Sequence, residues 1–568
     1  MVLNGKGAAA GIAVGSILIY NDKIQIPCES FVPAGGEQAQ LDKYNLIKKE
    51  ALEELESIRL SIQKLDPAKA GIFIAHKEIV EDIVINEEIT AKILKDRWVA
   101  DWAVYSVYDT FISVLRQTPD PMISERAVDF EDVRDLLLRL LYGQKKIKLS
   151  SLNEPVIIAA GDFKPSDAAS MDKEKVLAIL SEHGGLTSHT AIIAKSYGIP
   201  AVFGIEGLLK TIKQGQSVIV DAGEGIVILD PPSDAKKKYE EKYSAFCRDR
   251  EDAEKYRTAP GCTSCGVKID IGLNIANTDD KELSASGYTD SVGVFRTEFI
   301  YMGRAALPAE DEQFSIYKKV LECFKERPVI LRTMDIGGDK KLSCMELPDE
   351  ENPFLGNRAL RFCFKNPDIF KTHIRACLRA SVFGHLWLML PMVTSLEDIR
   401  KAKEHIACAR SELEKEGKSF KEIKLGIMIE IPSVAIIADL VCAEVDFASI
   451  GSNDLIQYVC AADRMNVEVE PYYQSYHPAM FRLFKKTIDA FNDAGKPVSF
   501  CGELGSDPKA VPALIGLGMR KLSMNAACVP AVKRTIASLT IKKAEEIAAN
   551  VLRLPTAMEI EKYLQGAL

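Results

Sequence analysis

Asp446-Phe-Ala-Ser-Ile-Gly-Ser-Asn-Asp-Leu-Ile-Gln-Tyr458 reads as an apolar run, a glycine-serine turn with two polar residues, and then helical spacing. Asp446–Ile450 predicts a strand, with Asn453 and Asp454 just beyond its C-terminal end. The same alternation recurs on both sides of this unit. Strand-like runs at Val267–Ile275, Ser291–Phe295, Pro328–Leu331, His385–Pro391, Lys424–Ile429, Pro497–Phe500 and Lys521–Met524 are each followed by helical pattern. With Asp446–Ile450 they make eight βα units in about 300 residues, the count of a (β/α)8 barrel. Near-continuous apolar runs suit parallel strands covered on both faces.

Upstream the pattern changes. A charged helix over Pro232–Tyr256 predicts a linker, closed by the breaker Pro260-Gly261. Before it, strand signals at Pro155–Ala159, Val176–Leu180, Ala201–Phe203, Val218–Val220 and Ile226–Leu229 alternate with short helices, as in an α/β domain. Residues 1–20 predict a strand with a glycine turn in Ala8–Gly15. Between these, Leu41, Tyr44, Ile47, Ala51, Leu55, Ile58, Ile62 and Leu65 form one helical stripe that Pro67 ends. A run with Ile72, Ile79, Ile83 and Ile85, a third over Trp98–Leu115 and a fourth over Asp129–Leu141 complete an expected four-helix insert. The expected organisation is an α/β domain from residues 1–20 and 144–231, a helical insert over 21–143, a linker helix over 232–260, and a TIM barrel over 261–568.

At 568 residues with 47% apolar side chains, the chain has material for several cores. A net charge of −9 argues against nucleic-acid or anionic-membrane partners. No run approaches a membrane span, and the start lacks the pattern of an export signal. Thirteen scattered cysteines then fit a reducing cytoplasm. Cys262 and Cys265 form a C-x-x-C without a second pair at metal spacing, which reads as a loop coincidence.

The barrel strands end in residues that can do chemistry. Arg296 follows the second strand, Arg332 ends the third, Glu430 follows the fifth, Asn453 and Asp454 the sixth, and Cys501 the seventh. Barrel enzymes place their working groups at those ends. Arg296 and Arg332 offer planar forks suited to phosphate oxygens, and Arg464 can hold a carboxylate. Glu430 and Asp454 supply hard oxygen ligands for Mg²⁺, which takes few carboxylates plus phosphate and water. The Cys501 thiol can give a proton to a carbanion-like carbon. The bland alternative is salt bridging of these arginines and acids across the mouth. The implied substrate is a small phosphorylated acid.

A second segment, His183-Gly-Gly-Leu-Thr-Ser-His-Thr-Ala-Ile-Ile-Ala-Lys-Ser-Tyr-Gly-Ile-Pro200, puts His189 in the first turn of a short helix. Thr187 or Ser188 can cap that helix, and Gly198 with Pro200 can end it. Its unpaired N–H groups and dipole favour an anion, so His189 reads as a carrier of phosphate.

These residues resemble Enzyme I of the bacterial sugar phosphotransferase system, over the whole chain and in the same domain order. The resemblance rests on Gly184–Thr190, Val294–Phe299, Arg332–Lys340, Asn352–Ala359, Asp446–Tyr458, Ala462–Arg464 and Cys501–Glu503. It implies that His189 takes the phosphoryl group of phosphoenolpyruvate, with Arg296, Arg332 and Arg358 neutralising phosphate. It assigns the substrate carboxylate to Arg464 and Asn453, Mg²⁺ to Glu430 and Asp454, and protonation of the enolate to Cys501. It further implies transfer to the histidine-containing phosphocarrier protein HPr, docked on the helical insert near His76, which lies in a charged and expectedly exposed stretch. Dimerisation through the barrel is part of the same implication. His189 and the barrel mouth fall in different expected domains joined by the 232–260 helix, so a swivel is expected to bring them together for one transfer and apart for the next.

The misfits fall in the histidine domain. Relatives usually carry arginine at Leu186 and threonine at Ala168, and a Ser-Pro-Gly turn where Ala9-Ala10-Gly11 stands. Losing one charge-assisted contact costs ~1.5–3 kcal/mol, which would slow transfer. Lys195 on the same helix can supply positive charge. Two rival readings are a phosphoenolpyruvate-sensing regulatory paralogue with an impaired histidine domain and a pyruvate dikinase-like enzyme. A sensor has no need of the Cys501 proton donor. A dikinase resembles a much longer chain, with an ATP-binding domain ahead of its histidine.

Overall fold

The computed structural model describes residues 1–567 apart from 10, 21–25, 64–69, 119–120, 144–148, 150–151, 164–170, 173–174, 184–190, 192–193, 195–197, 277, 279, 303, 305, 339, 341, 343, 346–347 and 349. One compact unit comprises Met1–Gly184 with Ile199–Pro231, and a second takes in Pro232–Leu568.

The first unit holds a sheet of eight strands, ordered β1 (Val2–Asn4), β8 (Ile226–Leu229), β7 (Ser217–Asp221), β3 (Ile12–Ile19), β4 (Val156–Ala160), β5 (Val176–Ser181), β6 (Ala201–Phe203) and β2 (Lys6–Ala9). The centre, β3 to β6, is parallel, and the pairings outside it are antiparallel. All five expected strands after residue 150 are present. The expected single N-terminal strand is three, broken at Gly5 and again at Gly11. A Cβ there would lie 2.6 Å from the Pro200 ring, so only glycine permits that approach.

The helical part of this unit shows five helices among the described residues, where four were expected. They are α1 (Glu37–Gln63), α2 (Ala70–Glu81), α3 (Ile83–Leu94), α4 (Ala100–Gln117) and α5 (Pro121–Leu141). The expected second run splits at Asp82, whose carboxylate accepts the Ile85 N–H at 3.0 Å and caps α3. The α1 stripe is buried as its spacing predicts, with Tyr44, Ile47, Ala51 and Leu55 in the core.

The second unit is a closed barrel of eight parallel strands. They are β9 (Asp270–Ile275), β10 (Ser291–Arg296), β11 (Pro328–Arg332), β12 (His385–Leu390), β13 (Lys424–Ile429), β14 (Phe447–Ile450), β15 (Val498–Phe500) and β16 (Lys521–Met524), which closes on β9. Every expected barrel strand is found. Period-two alternation sorts their side chains into two cores. Leu425, Ile427 and Ile429 pack outward with the helices, whereas Met428 joins Val294, Ile330, Met389, Phe447 and Cys501 inside the barrel. The charged helix Ser233–Glu254 belongs to this unit. Asp249 pairs with Arg534 at 2.6 Å, and Lys533 donates to the carbonyl of Arg257 just past the helix at 2.9 Å.

Candidate functional site

The inward-facing residue at the end of each of several strands carries a polar group, and these groups meet at the C-terminal mouth of the barrel. Arg296 ends β10 and is exposed. Two residues on, Glu298 is fully buried in the turn Thr297–Ile300. Arg332 ends β11 and is buried, as is Asp335 three residues later. Glu430 follows β13, Asp454 lies in the first turn of the helix Ser452–Cys460 after β14, and Cys501 follows β15.

A web of ion pairs ties these ends together. The Arg332 Nη2 donates to Glu298 and lies 3.1 Å from Asp335. Lys340 Nζ bridges the same two carboxylates at 2.8 and 2.7 Å. Arg358 forks in two directions. Its Nε and Nη2 reach Asp335 at 2.8 and 3.0 Å, and its Nη1 and Nη2 reach Asp454 at 2.9 and 3.3 Å. Arg464 Nη1 is 3.6 Å from Asp454. Burial would raise the Asp335 carboxyl, but Arg358, Lys340 and Arg332 hold it well below the usual range. Burial likewise opposes the charge on Glu298 and Asp454. Arg332 and Lys340 lower the first, and Arg358 and Arg464 lower the second.

The bland expectation of salt bridges across the mouth is therefore met, yet it does not exhaust the polar groups. Among the described residues, Arg332 Nε, Glu298 Oε2 and Glu430 Oε2 are buried without a hydrogen-bond partner. Buried groups left in that state are costly, and they mark where a ligand can be received. Arg332 Nη1 lies 3.7 Å from the Met428 sulfur. Glu430 Oε1 accepts the N–H of Met392, a non-glycine residue held at φ 53° just after β12. Burial, and after it the charges of Asp454 and Asp335, push the Glu430 carboxyl up to about 8. Burial also pushes the Cys501 thiol up, which keeps it protonated at neutral pH. Asn453 Oδ1 accepts the Glu503 N–H at 3.1 Å, which leaves the amide nitrogen of Asn453 as its donor.

The structure thus gathers Arg296, Arg332, Arg358, Glu430, Asn453, Asp454, Arg464 and Cys501 around one mouth. Arg358 has no exposed surface, and its fork is taken up by Asp335 and Asp454. His76 departs from its expected exposure. It is buried on α2, its Nε2 is 3.2 Å from Asp129 on α5, and its ring lies edge-on to Phe73. His189, with Leu186, Ala168 and Lys195, lies outside the described residues. Glu298, Asp335 and Lys340 had no expected role, although the Arg-x-x-Asp spacing at a strand end carries the signal. Cys262 is half-buried and Cys265 exposed in a loop, and among the described residues no cluster of three or more His, Cys, Asp or Glu forms a metal site.

Comparison with known proteins agrees with this arrangement. The chain matches the PEP-utilising enzyme family in three stretches. They are its N-terminal domain over residues 4–126, its mobile domain over 152–225 and its PEP-binding domain over 250–541. The phosphoenolpyruvate-protein phosphotransferase of Staphylococcus carnosus (strain TM300) is 38% identical over 572 residues, covering 100% of this chain and 99% of the relative. That of Bacillus subtilis (strain 168) is 38% identical over 565 residues, covering 99% of each. With the barrel, its polar mouth and identity along the full length in agreement, the chain belongs to the phosphoenolpyruvate-protein phosphotransferase family of enzymes.

Proposed function

We propose that the enzyme moves the phosphoryl group of phosphoenolpyruvate from the barrel mouth to His189 and from there to a histidine of the phosphocarrier protein HPr. The unsatisfied pair Arg332 Nε and Glu430 Oε2 carries this reading, because one invites an anion and the other a cation in the same mouth. Arg296 and Arg332 take the phosphate oxygens, while Arg464 and the amide of Asn453 take the carboxylate. Arg358 keeps Asp454 and Asp335 in place.

Glu430 and Asp454 suit Mg²⁺. One has an orphaned oxygen, and the two acids lie close enough for Asp454 to disfavour the charge on Glu430. Two carboxylates leave the remaining positions to phosphate and water, the habit of this ion. When bound, the ion would neutralise charge on the phosphate and enolate oxygens.

In the reaction a neutral imidazole nitrogen of His189 attacks phosphorus in line. The N–P bond forms as the bond to the enol oxygen breaks. The resulting enolate takes the Cys501 proton at its methylene carbon and leaves as pyruvate, and the thiolate is reprotonated afterwards. Catalysis here is chiefly positioning and charge neutralisation. HPr would dock on the helical unit, on surface around α2 other than the buried His76 ring. Dimerisation through the barrel and a cytoplasmic location belong to the same reading. Among the described residues no helix is long and apolar enough to cross a membrane.

Incubation with labelled phosphoenolpyruvate and Mg²⁺ tests the reading. Acid-labile, base-stable label is expected on the protein, is passed on when HPr is added, and is absent from His189→Ala. Undiminished pyruvate formation by that variant would overturn it.

A further inference from the structure

The barrel interior is apolar on one side and polar on the other. Val294, Ile330, Met389, Met428 and Phe447 fill the side of β10 to β14. From β14 round to β9 the inward positions are small or polar instead, namely Ser449, Ser499, Ser523, Gly272 and Asn274. An ordinary barrel fills such positions with branched apolar side chains. At the N-terminal end of the strands lies a cavity of about 420 Å³, lined by Ser499, Ser523 and Gly272 together with the charged Lys268, Asp270 and Lys521. At the other end of the same polar seam stands Cys501.

Two atoms of the seam, Ser449 Oγ and Asn274 Oδ1, are buried without a hydrogen-bond partner among the described residues. Asn274 Nδ2 donates to the carbonyls of Cys501 at 3.2 Å and Ser523 at 3.3 Å, which fixes the amide and makes Oδ1 the atom left over. Ser449 stands opposite Ser499 in the β14–β15 register, and Ser499 is two residues before Cys501. Burial raises the Cys501 thiol, and the Ser449 hydroxyl is near enough to work against it by favouring the thiolate. Nearer the cavity, Ser523 Oγ donates to the Phe500 carbonyl at 3.3 Å and Ser499 Oγ to that of Ala448 at 3.4 Å. An orphaned hydroxyl and an orphaned amide oxygen in a polar interior are the partners a buried water needs.

We propose that water held by Ser449 and Asn274 connects Cys501 to the cavity at the barrel floor and returns a proton to its thiolate from below. The inference rests on the reading of Cys501 as the donor to the enolate. Once that proton has gone to carbon, pyruvate still covers the thiolate on the mouth side. The water beneath gives one proton to sulfur, forming the S–H bond, and takes one back along the serine hydroxyls from solvent in the cavity. The net exchange is one solvent proton for the one now on pyruvate. Ser449 and Asn274 are positioning residues for that water.

The test uses the full-length protein with Mg²⁺, phosphoenolpyruvate and HPr, and rapid quenching separates the first turnover from those that follow. Ser499→Val closes the seam with an apolar side chain, and Ser449→Ala removes the hydroxyl next to Cys501. In both, the first pyruvate per site should form at the parent rate, because the thiol starts with its proton. Later turnovers should slow about tenfold or more, with a larger solvent deuterium effect. Imidazole buffer, a small proton carrier, should restore them, and Ser449→Thr, which keeps the hydroxyl, should turn over as the parent does. Later turnovers at the parent rate in both variants, equal slowing of first and later turnovers, or no rescue by imidazole would overturn the proposal. Cys501→Ala separates the two readings. If it leaves pyruvate formation unchanged, Cys501 is not the donor. If it slows pyruvate formation while the serine variants do not, only the route from the floor is wrong.

Discussion

Ion pairs in the helical unit and at the barrel mouth involve the same residue types in opposite surroundings. On the helices, Arg116 pairs with Glu131 with 62% of the arginine side chain exposed. At the mouth, Arg358 pairs with Asp335 with neither side chain exposed. A solvated pair is worth ~0–1 kcal/mol, since water screens it and side-chain entropy opposes it. A buried pair has already lost its hydration, so removing one partner strands the other. The mouth is therefore an expensive arrangement, and stability alone does not account for it. A chain that gathers four basic groups on Glu298, Asp335 and Asp454 and still leaves Arg332 Nε unsatisfied is built to receive an anion.

The strongest way to break the comparison is Asp335→Asn. It removes the carboxylate shared by Arg332, Lys340 and Arg358 while keeping the volume. The barrel should lose about 3–5 kcal/mol in urea unfolding, and pyruvate formation should fall with it. A loss under about 1 kcal/mol would mean that the web behaves as a surface network does.

What could be read from the sequence follows the range of each signal. The eight barrel strands were legible because apolar runs and their polar ends are local. For the same reason Arg332, Glu430, Asp454 and Cys501 could be placed at strand ends before any coordinates. The break between α2 and α3 was not legible, since Asp82 looks like one more polar helix residue until its carboxylate is seen to cap Ile85. His76 misled because Lys77, Glu78 and Glu81 surround it in sequence, while its own side chain turns toward Asp129 on another helix. The burial of the Arg358 fork depends on Asp454, 96 residues away. No periodicity reports a contact of that length. His189 remains a reading of sequence and family, outside the described residues.

A buried group that avoids charge sharpens the comparison further. His373 sits behind the barrel wall, within reach of the Tyr301 and Tyr317 hydroxyls at 3.3 and 3.0 Å, and burial lowers its pKa to about 3. Its unfolded value is near 6.5. A base with a depressed folded pKa binds its proton more readily when unfolded. Its stability contribution is complete above pH about 6.5 and is lost as pH falls toward 3. The slope is ~1.4 kcal/mol per pH unit for one proton. The carboxylates of the web add their own loss only below about pH 4.5, where they begin to protonate in the unfolded chain. Glu430, raised to about 8, adds a slope of opposite sign over this range in both proteins, so their difference reports His373: between pH 7 and 5 the parent should lose ~1–2 kcal/mol relative to His373→Gln in urea unfolding. His405, whose pKa burial also lowers, leaves a smaller residual slope. An unchanged slope in the variant would show that His373 takes up its proton while folded.

The smallest expected effect carries the other half of the argument. Glu131→Gln removes the exposed partner of Arg116 on the helical unit and leaves the shape of the side chain intact. Unfolding free energy should change by less than about 1 kcal/mol, and less still at high salt, where the pair is screened already. Labelling by phosphoenolpyruvate should be unaltered. Should this substitution cost as much as Asp335→Asn, burial would not be what separates the two regions, and the case for a mouth held in readiness for an anion would have to rest on its unsatisfied atoms alone.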